Sequence, residues 1–190
     1  KISFMNEMAN LAEQVGANVD LVRKGIGTDH RIGGAFLYAG LGYGGSCFPK
    51  DVKAIQKIAI DSGYDFKLVN SVLEVNTYQR ERFFQKISKR IDLKGKRIGI
   101  WGLSFKPNTD DIREAPSLYL ISKFLEYGSQ VIAYDPEAMQ NIRRLLGDEI
   151  EYAQTMYDAT RHVDLLVIVT EWSVFRTPDF EKMKSLMNGN

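Results

Sequence analysis

Arg97-Ile98-Gly99-Ile100-Trp101-Gly102-Leu103-Ser104-Phe105-Lys106 reads as a short β-strand that breaks into a glycine turn, and it divides the chain into two kinds of sequence. Beyond it, Gln130-Val131-Ile132-Ala133-Tyr134 and Asp164-Leu165-Leu166-Val167-Ile168-Val169 are near-continuous apolar runs, the pattern of buried parallel strands. Ser117 to Tyr127 and Met139 to Leu146 carry helical spacing between them, with Gly128 closing the first. Strand and helix in alternation predict a doubly wound α/β domain of Rossmann type over residues 93–190. The glycine turn after the first strand lacks the full dinucleotide triplet.

Upstream, the periodicity is helical throughout: Lys1 to about Ile26, Pro49 to Ser62 and about Lys67 to Ile91, with Gly63 as a cap between the last two. Residues 1–92 are expected to be an all-helical domain. Phe4, Met5, Met8, Leu11, Val72, Val75 and Tyr78 offer more apolar surface than so small a bundle buries, which points to a homodimer through these helices. The chain starts inside a helical stripe and stops at an amphipathic helix that normally leads into another strand, so it is expected to be part of a longer protein.

With 190 residues, 44% hydrophobic content and a net charge of +1, the composition is that of a soluble globular protein. Acidic and basic residues are interspersed, and no apolar stretch is long enough to span a bilayer, so neither nucleic acid nor membrane is implied. A single cysteine forms no internal disulfide and suits a reducing cytoplasm. His30 and His162 make no metal-ligand pattern with it.

That cysteine, Cys47, lies in Gly40-Leu41-Gly42-Tyr43-Gly44-Gly45-Ser46-Cys47-Phe48-Pro49-Lys50-Asp51, a glycine-rich loop running into a helix start. Pro49 suits the first helical position, which would put Cys47 just outside a helix N-terminus, where free N–H groups favour a thiolate. A free cysteine is more often a buried small hydrophobe, but this loop context favours a nucleophile. Asp51, one turn on, can orient water or move a proton, or merely cap the first turn. Gly40, Gly42 and Gly45 also satisfy a dinucleotide glycine pattern, but outside any βαβ unit; access of a ligand to Cys47 is the preferred reading.

The second candidate is the long polar loop Phe105 to Pro116, beyond a strand C-terminus where open α/β sheets bind ligands. Lys106 and Arg113 can meet phosphates and Phe105 can cover a base or sugar; a solvated loop with locally paired charges is the competing reading. Asp135 ends the second strand near the place of a ribose-binding acid, but the following Pro136 favours a turn.

Taken together, Gly42-Tyr43-Gly44-Gly45-Ser46-Cys47-Phe48-Pro49-Lys50-Asp51, Asp29-His30-Arg31-Ile32-Gly33, Gly102-Leu103-Ser104-Phe105-Lys106 with Thr109-Asp110-Asp111-Ile112-Arg113-Glu114, and Thr170-Glu171-Trp172 resemble the UDP-glucose/GDP-mannose dehydrogenase family over almost the entire chain. The resemblance implies oxidation of the C6 alcohol of UDP-glucose to the acid with two NAD, through a thiohemiacetal and a thioester on Cys47. It also implies supply of a uronic sugar nucleotide to polysaccharide synthesis. By the same resemblance Phe36, Leu37, Tyr38, Ala39, Gly40, Gly44 and Lys106 line the sugar-nucleotide site. Lys50 and Arg113 touch NAD, and Arg31 reaches a substrate bound to the neighbouring subunit. The Tyr43 and Phe48 surroundings lean toward UDP-glucose, with GDP-mannose or another UDP-sugar, or a non-catalytic nucleotide-binding dimerisation module, as the alternatives. In the family a dinucleotide domain precedes the helical one, and a lysine and an asparagine used in the first oxidation are expected upstream of Lys1. The last strand of the second domain is expected after Asn190. This chain alone is therefore expected to hold the thiol and part of the substrate site without turning over.

Overall fold

The computed structural model describes residues 1–189, which form two compact units. The first comprises Lys1–Tyr43 with Lys50–Phe83, and the second Gly44–Pro49 with the chain from Phe84 onward.

The first unit is helical. Its first helical stretch is two helices, α1 (Ile2–Val15) and α2 (Val19–Gly27), where the apolar period predicts one. Gly16 takes a left-handed conformation at φ 70° and ends α1, and the Asn18 side chain accepts from the Asp20 and Leu21 N–H groups to start α2. Local capping overrides the stripe. The helix α3 (Phe48–Asp61) begins one residue earlier than expected, so that Phe48 is first, Pro49 second and Cys47 directly precedes the helix. Proline is tolerated there because first-turn N–H groups have no helical acceptor. Gly63, at φ 70°, closes α3, and α4 (Lys67–Ser88) follows.

α1 meets α4 through Ser3 Oγ to the Val72 carbonyl at 3.2 Å and Asn10 Nδ2 to Gln79 Oε1 at 2.9 Å. Met5, one of the apolar residues assigned to a possible interface, is fully buried here, whereas Phe4, Leu11 and Tyr78 are about half exposed.

The second unit carries β1 (Arg97–Trp101), α5 (Pro116–Glu126), β2 (Gln130–Tyr134), α6 (Met139–Leu146), β3 (Glu151–Tyr152), β4 (Leu165–Ile168) and α7 (Phe180–Leu186). All strands are parallel, in the order β3-β2-β1-β4, with Trp101 in register with Tyr134 on one side and Ile168 on the other. The two-residue β3 carries too little apolar signal to be read from sequence. Ile98, Ile100 and Trp101 are inaccessible, and the Trp101 indole donates to the Met156 carbonyl at 2.7 Å, so its polar edge is satisfied inside the core. Gly99 is required because a Cβ there would collide with the Ala159 carbonyl. The order reverses at β1, between β2 and β4, and in open sheets the crevice beyond the strand ends at such a point takes the ligand. No helix among the described residues is long and apolar enough to cross a membrane.

Candidate active site

The turn leaving β1 is held from both sides. Gly102 sits at φ 92° against Thr170, where any Cβ would lie 2.6 Å from the Thr170 nitrogen. Thr170 Oγ1 donates to the Ser104 carbonyl at 2.6 Å, and Ser117 Oγ to the Leu103 carbonyl at 2.6 Å. The amides of Leu103 and Ser104 point the other way, to Asp135 Oδ2 at 2.6 and 3.1 Å. Phe105 and Lys106 follow this clamped turn, with Lys106 Nζ 5.3 Å from the centre of the Phe105 ring.

The rest of the loop organises around Asp111. Its backbone carbonyl accepts from the Phe105 N–H at 3.0 Å, and its carboxylate accepts from Arg113 Nε at 2.9 Å and Nη2 at 2.8 Å. The Arg113 guanidinium in turn holds the Asp111 carboxyl below the usual carboxylate range. Asp111 holds Arg113 charged even more firmly than usual, with the Cys47 sulfur adding a smaller pull in the same direction. The locally paired reading of this loop therefore applies to Arg113, although its side chain stays 68% exposed and open to a ligand.

The cysteine segment packs onto this same loop within the second unit. Gly45 N–H donates to the Arg113 carbonyl at 2.7 Å. A Cβ on Gly44 would overlap the Glu114 carbonyl, and one on Gly45, at φ 87°, would stand 2.7 Å from the Phe105 ring. These glycines are what lets two backbone segments touch. Cys47 is exposed, with its Sγ 3.6 Å from Ser46 Oγ. Gly44, Cys47, Phe105, Lys106 and Arg113 are thus brought together in one unit. An open groove of about 500 Å³ lies along Asp110–Arg113 and the α6 residues Asn141, Arg144 and Leu145.

The remaining candidates belong to the first unit. Arg31 forms a bidentate pair with Asp29, Nε to Oδ1 at 3.0 Å and Nη2 to Oδ2 at 2.5 Å, which draws the Asp29 carboxyl down. Phe36, at φ 63°, and Tyr38 are exposed, and the Arg23 guanidinium lies 4.5 Å from the Tyr38 ring centre. Leu37 and Tyr43 are buried, so a ligand would meet their backbone rather than their side chains. Ala39 is exposed, and Gly40 is pinned by its N–H to Asn6 Oδ1 at 2.8 Å and by Gln79 Nε2 to its carbonyl at 2.9 Å. Lys50 and Asp51 are both largely exposed and pair at 3.4 Å. A larger groove of about 1100 Å³ in this unit, between Glu7, Lys53 and Glu74, is lined by none of these residues.

Sequence reasoning missed Asn76. It is buried, accepts from Tyr43 N–H at 2.7 Å and donates to the Tyr43 carbonyl at 3.1 Å. Its only sequence trace is Gly42: at φ 102°, a side chain there would lie 2.7 Å from Asn76 Oδ1.

A parallel sheet whose order reverses at β1, with a glycine-packed cysteine segment on the loop that follows that strand, is an α/β arrangement of the doubly wound kind. Residues 1–78 match the UDP-glucose/GDP-mannose dehydrogenase family, central domain, and residues 99–190 the UDP binding domain of the same family. The chain belongs to the UDP-glucose/GDP-mannose dehydrogenase family. It is 45% identical over 189 residues to a UDP-glucose 6-dehydrogenase of Rhizobium meliloti, covering 98% of this chain and 43% of that protein. It is 44% identical over 188 residues to UDP-glucose 6-dehydrogenase TuaD of Bacillus subtilis, covering 98% and 41%. The structure of a UDP-glucose dehydrogenase from Pyrobaculum islandicum superposes with a TM-score of 0.91 at 37% identity, over 94% of this chain and 42% of that one. The chain thus spans about two-fifths of the length of the curated relatives it matches.

Proposed function

We propose that these residues belong to a dehydrogenase that oxidises the C6 alcohol of UDP-glucose to the carboxylate, with Cys47 as the nucleophile of the second step. The observation that carries this reading is the Gly45–Arg113 junction, which seats the thiol segment on the loop bearing Lys106. A single alcohol oxidation needs no nucleophile; continuing to the acid does. The Cys47 thiolate adds to the C6 aldehyde to form a C–S bond and a tetrahedral thiohemiacetal, and loss of hydride from C6 leaves a thioester. Water then attacks the thioester carbon, the C–S bond breaks, and the thiolate is restored. The substrate-side cation is Lys106, flanked by the Phe105 ring, which suits a pyrophosphate with an attached base or sugar. Asp51 is the group proposed to steer the hydrolytic water.

Lys50 and Arg113 suit an anionic dinucleotide, since each is an exposed cation with a carboxylate neighbour that holds it in place. NAD, when bound, supplies the hydride acceptor for both oxidations. Arg31 and the half-exposed Phe4, Leu11 and Tyr78 support the further reading of a homodimer through the helical unit, and the single thiol is in keeping with a cytoplasmic setting.

The test is the amount of NADH formed per sugar nucleotide by an enzyme of the relatives' full length that carries these residues, offered UDP-glucose and GDP-mannose separately. Two NADH per UDP-glucose, falling to one or none in Cys47→Ser, is expected. No NADH from either sugar would move the reading to another UDP-sugar and then to a non-catalytic module. The 190-residue chain alone is expected to give no NADH.

A further inference from the structure

Asp135 stands where a dinucleotide-binding fold keeps its ribose acid, yet its carboxylate faces inward and is 1% exposed. Its Oδ1 accepts from the Glu137 and Ala138 N–H groups at 2.9 and 2.8 Å, closing the turn after β2 that Asp135-Pro136 suggests. Its Oδ2 accepts from Leu103 N–H, Ser104 N–H and Trp172 Nε1–H at 2.6, 3.1 and 3.1 Å. Ser104 Oγ lies 3.2 Å from the same oxygen and 3.0 Å from the Lys106 carbonyl. A hydroxyl has one hydrogen, so it serves one of these acceptors at a time. Both carboxylate oxygens are thereby taken up by protein donors from the turns that follow β1, β2 and β4. A ribose hydroxyl has no place here.

Resting on the UDP-sugar reading above, we propose that Asp135 is a positioning residue, tying together the three strand-end turns so that Phe105 and Lys106 are held for the substrate. The bonds run in series: Asp135 holds the amides of 103 and 104, Thr170 holds the Ser104 carbonyl, and Phe105, next in sequence, packs under Gly45 two residues from Cys47. Such a turn is ordered before a ligand arrives, so binding does not have to order it. Trp172 and Thr170 acquire a role by the same geometry, since they join β4's turn to the hub.

Asp135→Asn tests this in the 190-residue chain with UDP as the probe. Carboxamide chemistry replaces one acceptor oxygen by an N–H₂ group, which faces donors on either side. Asp135→Ser is the second variant: its hydroxyl keeps an acceptor near Glu137 and Ala138 but falls short of Leu103. Hydrogen exchange at the Leu103 and Ser104 amides, UDP affinity by calorimetry and thermal unfolding are measured, beside Val163→Ala, which opens the core of the same unit elsewhere. The expected result is faster exchange at both amides and UDP binding weaker by about tenfold or more in the Asp135 variants, with Val163→Ala at similar stability binding UDP as the parent does. Unchanged amide protection overturns the proposal, as does an equal loss of UDP affinity in Val163→Ala, or failure of both Asp135 variants to unfold cooperatively. If the parent chain does not bind UDP, the affinity arm is read in an enzyme of the relatives' full length carrying the same variants, where absence of UDP binding ends the substrate reading, and the exchange arm still decides whether Asp135 orders the turn.

Discussion

Gly45 donates its N–H to the Arg113 carbonyl at 2.7 Å, and the space its side chain would occupy is filled by the Phe105 ring. One backbone bond and one missing Cβ therefore set how the thiol segment meets the loop proposed to bind the sugar nucleotide. Most of what can be tested about this protein follows from that junction and from the clamps on either side of it.

Gly45→Ala meets two obstacles, a left-handed φ of 87° and ring carbons at 2.7 Å. Strain of this kind costs about 1–3 kcal/mol when the surroundings do not yield. The variant is expected to unfold at lower denaturant and, in the full-length enzyme, to lose more of the second oxidation than of the first. Both are read from denaturant midpoints and from NADH stoichiometry; an unchanged stoichiometry would remove the junction from the mechanism.

Lys106→Ala removes the proposed phosphate-binding cation while leaving its backbone in the clamped turn. UDP affinity of the chain is expected to fall about tenfold, with the unfolding free energy within about 0.5 kcal/mol of the parent, because the changed side chain is exposed. Calorimetry and chemical denaturation check the pair of outcomes.

Asn76→Leu deprives Tyr43 N–H of its 2.7 Å acceptor, while the Tyr43 carbonyl keeps Arg80 Nη2 at 3.0 Å. One buried donor left unpaired costs about 1–3 kcal/mol. The helical unit is expected to lose that stability, and Gly42→Ala, which drives a Cβ into the same asparagine, to do likewise.

Acid should loosen the loop ends. Arg113 holds the Asp111 carboxyl below its ordinary range, and Arg97 does the same to Glu151 by a bidentate pair between β1 and β3. A carboxyl with a depressed folded-state pKa stabilises above its unfolded value, about 4, and that contribution is lost as pH falls through the folded value. The urea midpoint is therefore expected to hold near neutral pH and to decline below about pH 4. In Asp111→Asn the decline should be shallower, because one of these groups no longer titrates; a parallel decline would count against the pairing.

Much of the architecture was legible because it is written in local periods. Arg97–Trp101, Gln130–Tyr134 and Met139–Leu146 were read at their observed boundaries from apolar runs and helical spacing. The break at Gly16 and Asn18 was not, since a capping side chain competes with the stripe over only a few residues. Cys47 and the Phe105–Pro116 loop stood out by composition, as a lone thiol among glycines and a polar loop at a strand end. Asn76 did not stand out at all, and Asp135 did so only as a turn residue. Asp135 and Asn76 are ordinary polar residues whose meaning lies in hydrogen bonds to chain 31 to 37 residues away.

By itself, then, the sequence determined the helical and α/β halves, the parallel strands, the thiol and the polar loop, because each depends on residue type and spacing within a few turns of chain. Only the tertiary structure decided that Asp135 turns inward to the β1 and β4 turns rather than outward to a ribose, and that Gly44 and Gly45 are glycines so that the Cys47 segment can lie on Phe105 and Glu114. Hydrogen-bond direction and excluded volume are properties of two segments at once, and neither is carried by the local pattern of either one.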